Sequence, residues 1–131
     1  MERRRISSGS PWEPVVGFSR AVRVGDRVLV AGTIANMPAG ADPPPDTYGQ
    51  ARRCIEIIGE ALAEAGAGFA DVVRTRIYMT PAASFEEAAR AHGEVFANIR
   101  PASTALYVTA FVDPRFVVEI EAEAVVAANP R

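Results

Sequence analysis

Three carboxylates, Glu119, Glu121 and Glu123, alternate with apolar residues in the stretch VVEIEAEAVV. A carboxylate can position a water or take its proton, so this is the first place to look for chemistry. Successive side chains of a strand point to opposite faces, so the three glutamates share one face, while Val118, Ile120, Ala122, Ala124 and Val126 share the other. The apolar row is core. The acidic row is either solvated surface, the ordinary role of charges on an antiparallel sheet, or the lining of a charged cavity or an interface.

The chain carries few other reactive groups. A single cysteine, Cys54, excludes an intramolecular disulfide and any CxxC motif, and a single histidine, His92, excludes HExxH and two-histidine metal sites. A protein metal site would have to be built from carboxylates. Cys54 falls in the apolar stripe of a helix, which favours a buried, inert thiol over a nucleophile. His92 falls on a second apolar stripe and reads as a hydrogen-bonded core histidine before a catalytic base. No phosphate-binding loop or GxSxG elbow is present, and GAG at 66–68 lacks the third glycine and preceding strand of a dinucleotide fingerprint.

Length and composition bound the rest. A chain of 131 residues fits one domain over 1–131, large enough to bury a core without staples. The hydrophobic fraction of 49% and charged fraction of 23% argue against disorder. No run approaches the ~18 apolar residues of a membrane span. The opening MERRRISSG is charged without a following apolar run, unlike a secretory leader, so a cytoplasmic protein is expected. A net charge of -2 and a pI near 5.4 argue against nucleic acid as the main partner. The one basic run, Arg3, Arg4 and Arg5, is expected to be a mobile, solvated terminus.

The elements that must position these groups are legible in turn. AVRV at 21–24 and RVLVAG at 27–32 flank Gly25 and Asp26, a hairpin signal compatible with a type I′ or II′ turn. ANMPAGADPPPD is too rich in proline and glycine for a strand or helix and predicts a surface loop. Thr47 and Gln50 have capping-box spacing, with Asp46 a competing cap. They start a helix whose apolar stripe is Ala51, Cys54, Ile55, Ile58, Ala61, Leu62 and Ala65, stopped by Gly66 and Gly68.

From Asp71 a strand, VVRTRIYMT, places Val73, Thr75, Ile77 and Met79 on one face and Arg74, Arg76 and Tyr78 on the other. Ser84 and Glu87 form a second capping box, opening a helix with Phe85, Ala88, His92 and Val95 on one side. After Pro101 a strand is expected at about 103–111, then a turn at Val112 to Pro114 into the glutamate strand. The order β-β-α-β-α-β-β predicts an α+β fold of two layers, a mixed sheet with two helices on one face. Arg74 and Arg76 then share the other face with the glutamates. They pair across strands, or an oligomer covers them.

Five pieces, in order and spacing, carry a resemblance over nearly the whole chain. They are SSGSPWEPVVGFSRAVRVGDRVLVAGTIA, YGQARRCIEIIGEALAEAGAG, DVVRTRIYMT, RPAST and VVEIEAEAVV. The chain resembles the Rid family, also called YjgF or endoribonuclease L-PSP proteins. The resemblance implies a chorismate-mutase-like protomer in a homotrimer, with small-molecule clefts between subunits and no cofactor. It also implies hydrolysis of enamines and imines such as 2-iminopropanoate to 2-keto acids and ammonia.

The family glutamate that serves the water matches Glu119. The family arginine of a Pro-Ala-Arg-Ser/Thr motif is replaced by Ser103. Arg100, three residues away, is displaced by about 10 Å at ~3.3 Å per residue and cannot substitute. The family's N-terminal tyrosine is Phe18, without the hydroxyl, and its second-helix asparagine is Ala89. Three of four cleft groups are thus lost, which places the chain beside Rid subgroups lacking the arginine.

Three readings follow. In the first, a hydrolase or deaminase of an imine, enamine or related C–N compound, Glu119 positions water and Ser103, Thr104, Phe18 and Ala31 shape the cleft. Arg20 is there either a ligand contact or an ordinary surface charge. The second is a non-catalytic trimer that binds a metabolite or protects other proteins. The third, ribonuclease or translation inhibitor, comes last, since one histidine offers no acid–base pair for a phosphodiester.

Overall fold

The computed structural model describes residues 2–127. Its strands are β1 (Arg3–Ile6), β2 (Ala21–Val24), β3 (Arg27–Thr33), β4 (Val72–Met79), β5 (Ala102–Tyr107) and β6 (Val118–Val125), and its two α-helices are α1 (Thr47–Glu64) and α2 (Phe85–Phe96). The strands form one sheet in the order β1-β2-β3-β6-β4-β5, parallel only between β4 and β5. Both helices cover one face, as the α+β reading expects. One strand more than expected is present: the basic run is not a loose end but β1, which pairs antiparallel with β2. Arg3 to Arg5 remain exposed on it and only Ile6 is buried.

The helix α1 forms where its stripe requires it. Asp46, not Thr47, is its N-cap and accepts from the Gly49 amide at 2.9 Å. All seven predicted stripe residues are buried, with Cys54, Ile58 and Leu62 at the centre of the core. Burying each large aliphatic side chain there contributes roughly 1.5–3 kcal/mol. Gly66, at φ +81°, stops the helix. The Ala67 amide then reaches back to the Leu62 carbonyl at 2.8 Å and the Gly66 amide to that of Ala63 at 3.0 Å, the paired bonds of a Schellman end.

Neither capping box closes on itself. Ser84 caps α2 by accepting from the Glu87 amide at 3.2 Å, but Glu87 Oε1 accepts from the Tyr48 amide of α1 at 2.9 Å. In return, Thr47 Oγ1 accepts from the Ser84 amide at 3.0 Å. Gln50 is buried and fully used elsewhere. Its Nε2 donates to the Pro44 and Arg115 carbonyls and its Oε1 accepts from the Val117 amide, tying the loop before α1 and the segment leading into β6 to the helix start.

Other expectations shift by local geometry. The β2–β3 hairpin turns on Gly25 at φ +62° while Asp26 keeps a negative φ, the type II′ alternative. A bulge between Val72 and Arg74 opposite β6 turns Val72 into the core and leaves Val73 exposed, reversing the expected role of Val73. On α2 the buried face is Ala88, Ala91 and Phe96, and Phe85 is exposed. The β5 strand is shorter than expected and every residue of it is exposed.

Candidate functional site

The acidic row stands on the face that no helix covers. Glu121 accepts from Arg76 at 2.9 Å and from the Tyr78 hydroxyl at 3.0 Å, and Glu123 accepts from Arg76 at 3.3 Å and Arg27 at 3.1 Å. Arg76 therefore pairs as expected, whereas the second arginine is Arg27 of β3 rather than Arg74. Glu119 differs from both. It has no hydrogen bond or ion pair to any described residue, and burial, followed by the nearby Glu121 charge, holds its carboxyl above the usual carboxylate range.

The position of Glu119 depends on a gap in the neighbouring strand. The register between β3 and β6 shifts between Val30 and Thr33. Gly32 falls in that irregularity, and a Cβ placed on it would stand 2.5 Å from Glu119 Oε2. Only the bare backbone of glycine leaves room for the carboxylate there. A glycine inside an otherwise regular strand pattern is the signal that marks such a close approach in a sequence.

Glu119 opens into a cleft of about 630 Å³, which Phe18, Arg20, Gly32, Asn36, Met37 and the segment Ser8 to Trp12 also line. A π-helical turn over Glu13–Gly17 follows that segment and joins it to Phe18. Glu13 ties it down by accepting from the Ser7 hydroxyl at 3.0 Å and from the amide and hydroxyl of Ser8. These bonds hold the Glu13 carboxyl below its usual range. Trp12, Val15 and Val16 stay largely exposed beside it. Sequence reasoning missed the Ser8–Trp12 wall because SSGSPW has no periodicity to place it.

Arg20 is no surface charge: it is 9% exposed. Its Nη1 donates to the carbonyls of Ala31 and Gly32 and to the Thr33 hydroxyl. Burial lowers its pKa, and Glu13 and Glu119 partly oppose that shift without pairing with it. Ala31 thus serves through its carbonyl rather than by lining the Glu119 cleft.

The remaining predicted residues lie elsewhere in the chain. Ser103 pairs in register with buried Thr75 on the helix-covered face, where the two hydroxyls are 2.8 Å apart, and Thr75 Oγ1 is 2.8 Å from His92 Nε2. His92 also stacks on Phe96 with ring centroids 4.6 Å apart. Thr104 pairs with Arg76 on the open side of β5. The cleft accordingly unites Glu119, Phe18 and Arg20 within one chain, while Ser103 and Thr104 sit on the exposed edge strand. Cys54 is fully buried and desolvation pushes its thiol up to about 12, so it is inert. Among the described residues no group of three or more metal-ligating side chains converges.

The family model for endoribonuclease L-PSP matches residues 9–126. This chain belongs to the YjgF/Rid family. An uncharacterized protein of Streptomyces coelicolor is 43% identical over 121 residues, covering 92% of this chain and 90% of that one. A RutC family protein of Pyrococcus abyssi is 34% identical over 98 residues, 74% of this chain and 77% of that one. The crystal structure of Rv2704 from Mycobacterium tuberculosis, described as a YjgF/YER057c/UK114 family member, superposes with a TM-score of 0.87 at 44% identity. That match covers 95% of this chain and all of the other. The six-stranded sheet and two main helices are therefore the YjgF/Rid fold. No helix among the described residues is long and apolar enough to cross a membrane.

Proposed function

We propose that this YjgF/Rid protein is a cytoplasmic homotrimer, one Rid-like unit per chain, that hydrolyses a small imine, enamine or related C–N metabolite. The observation that carries the reading is Glu119, a carboxylate without a protein partner, partly desolvated and aimed into a cleft. Water must add to the electrophilic C=N carbon, and a desolvated carboxylate is a stronger base for that water than a solvated one. Phe18 supplies an apolar wall. The exposed edge strand β5, with Ser103 and Thr104, is the natural border with a neighbouring subunit, since an unpaired edge seeks cover.

The family's own way of holding a 2-imino acid is not available at Ser103, so standard 2-iminopropanoate turnover is not assumed. The deciding experiment follows ammonia release from 2-iminopropanoate and from bulkier imines generated in situ, with an arginine-bearing family member as control. Turnover that falls about 10²-fold or more in Glu119→Gln supports the hydrolase. Absence of turnover on every imine tried, with the control active, removes it.

One observation favours a second reading, a non-catalytic binder. The Ser103 hydroxyl meets Thr75 on the helix side of the sheet and does not line the Glu119 cleft, so that position offers the cleft of its own chain no second polar group to assist a leaving amine. Ligand binding without turnover would select this reading.

A further inference from the structure

A line of three polar groups runs from the interior to the exposed edge of the sheet. His92 Nε2 on α2 lies 2.8 Å from Thr75 Oγ1 on β4, and Thr75 Oγ1 lies 2.8 Å from Ser103 Oγ on β5. Thr75 is buried, His92 is half-buried against Phe96, and Ser103 is exposed. A hydroxyl both donates and accepts, and its hydrogen turns to suit its neighbours. Burial lowers the pKa of His92, and no described carboxylate bonds to its ring, so the imidazole is neutral at neutral pH. With Nε2 bare, Thr75 donates to the ring and its lone pairs accept from Ser103. A serine is activated by a base in proton contact with its hydroxyl; here that contact is spread over one more link.

The backbone at Ser103 adds a donor. The Val108 amide donates to the Met79 carbonyl at 2.7 Å, and N–H groups of successive residues in a strand point to opposite sides. The amides of Ala102, Thr104 and Leu106 therefore face β4, and that of Ser103 faces outward from an edge strand with no further partner in the sheet. An unpaired N–H beside the attacking hydroxyl is placed to receive a developing oxyanion.

We propose that Ser103 is a nucleophile toward small activated acyl compounds, with His92 as its base and Thr75 carrying the proton between them. Ser103 Oγ bonds the acyl carbon, and the bond from that carbon to the leaving group breaks. The leaving group takes the electron pair and departs as a stable anion such as a phenolate. The Ser103 proton passes to Thr75 Oγ1 as the Thr75 proton passes to His92 Nε2, and the ring releases it to solvent. Water then cleaves the acyl-serine to the free acid and restores the hydroxyl. Ser103 does not line the Glu119 cleft, so this activity stands or falls apart from imine hydrolysis.

The probe is diisopropyl fluorophosphate incubated with the full chain, where Ser103 Oγ displaces fluoride and peptide mass spectrometry locates the adduct. Label on Ser103 is expected in the wild type. Thr75→Val and His92→Gln should each slow labelling by about 10²-fold or more, the scale of general-base assistance, and Thr75→Ser should restore most of the rate. An unlabelled Ser103 in the wild type, wild-type rates in Thr75→Val or His92→Gln, or a Thr75→Ser as slow as Thr75→Val overturns the relay. Should the variants fail to fold, the untagged wild-type protein decides. His92 is the only histidine in the chain, so its ring gives the only imidazole signals in a nitrogen NMR spectrum. A neutral ring protonated at Nδ1 and bare at Nε2, together with label on Ser103, supports the relay; a proton on Nε2 at neutral pH overturns it.

Discussion

Glu119 Oε2 occupies the space that any side chain on Gly32 would fill, with a Cβ at Gly32 falling only 2.5 Å from it. The two residues lie on neighbouring strands, so the direction of the carboxylate is set by the absence of a side chain across the ladder. Gly32→Ala should push the carboxylate aside. The obstructing group is the free end of a flexible side chain, so the stability change should stay within about 0.5 kcal/mol. Imine turnover, or ligand affinity if the protein only binds, should nonetheless fall about tenfold or more, since small misplacements of a catalytic group are costly. Urea unfolding alongside the activity assay checks both halves, and a stable, fully active variant would show that this direction does not matter.

Glu119 should cost stability while it serves function. Burial and Glu121 raise its pKa above the ordinary 4.5, so the folded chain binds more protons than the unfolded one just above pH 4.5. Stability from this group is therefore lost as pH rises through the raised pKa. Glu119→Gln removes the penalty and is expected to be the more stable of the two at pH 7.5, as substitutions that relieve strained functional sites often are. At pH 4 the difference should vanish. Activity runs the opposite way, rising with pH through the same titration because the base must be ionised. Melting curves at the two pH values and a pH–rate profile test the pair.

How far these features could be read from the chain differs by residue, for physical reasons. The α1 stripe from Ala51 to Ala65 and its stop at Gly66 are local, repeating at 3.6 residues and ending on a left-handed glycine. The alternation of β6 likewise separates Glu119, Glu121 and Glu123 from the core without reference to any partner. Val72 and Val73 exchange roles because a bulge depends on which β6 residue each meets, information that lies about fifty residues away in the register opposite Glu123 and Ala124. RRRI has no alternation of its own and becomes β1 only because β2 offers an edge. Arg20 was legible as a candidate but its burial was not, since the Ser7 to Phe18 segment that helps enclose it follows no periodic rule. The role of Glu119 as a cleft residue came from family resemblance, while the close approach to Gly32 is a contact across strands.

The exchanged caps of α1 and α2 should behave as one unit. Glu87 Oε1 satisfies the Tyr48 amide and Thr47 Oγ1 satisfies the Ser84 amide, so each helix start depends on a side chain of the other. Thr47→Val and Glu87→Ala are each expected to lose about 0.5–2 kcal/mol, the range for removing a cap. The double variant should lose less than the sum, because breaking either bond lets the two helix ends part and weakens the other. Additive losses in urea denaturation would mean that the two caps act independently.

His92 should make the fold sensitive to mild acid. Burial lowers its pKa below the ordinary 6.5, so the folded chain binds fewer protons than the unfolded one just below pH 6.5. The stability linked to this group is full above pH 6.5 and is lost as pH falls through that value toward the lowered folded pKa. Comparing the wild type with His92→Gln between pH 7.5 and 5.5 isolates the effect from the carboxylates: the wild type should lose stability over that window, and His92→Gln should lose measurably less. Thr75 provides the structural counterpart, since its hydroxyl contacts both His92 Nε2 and Ser103 Oγ at 2.8 Å. Thr75→Val leaves the ring nitrogen without that partner and is expected to lose about 1–3 kcal/mol at pH 7.5. Parallel pH dependences in the wild type and His92→Gln would show that the ring does not titrate with folding and that its contact with Thr75 serves packing alone.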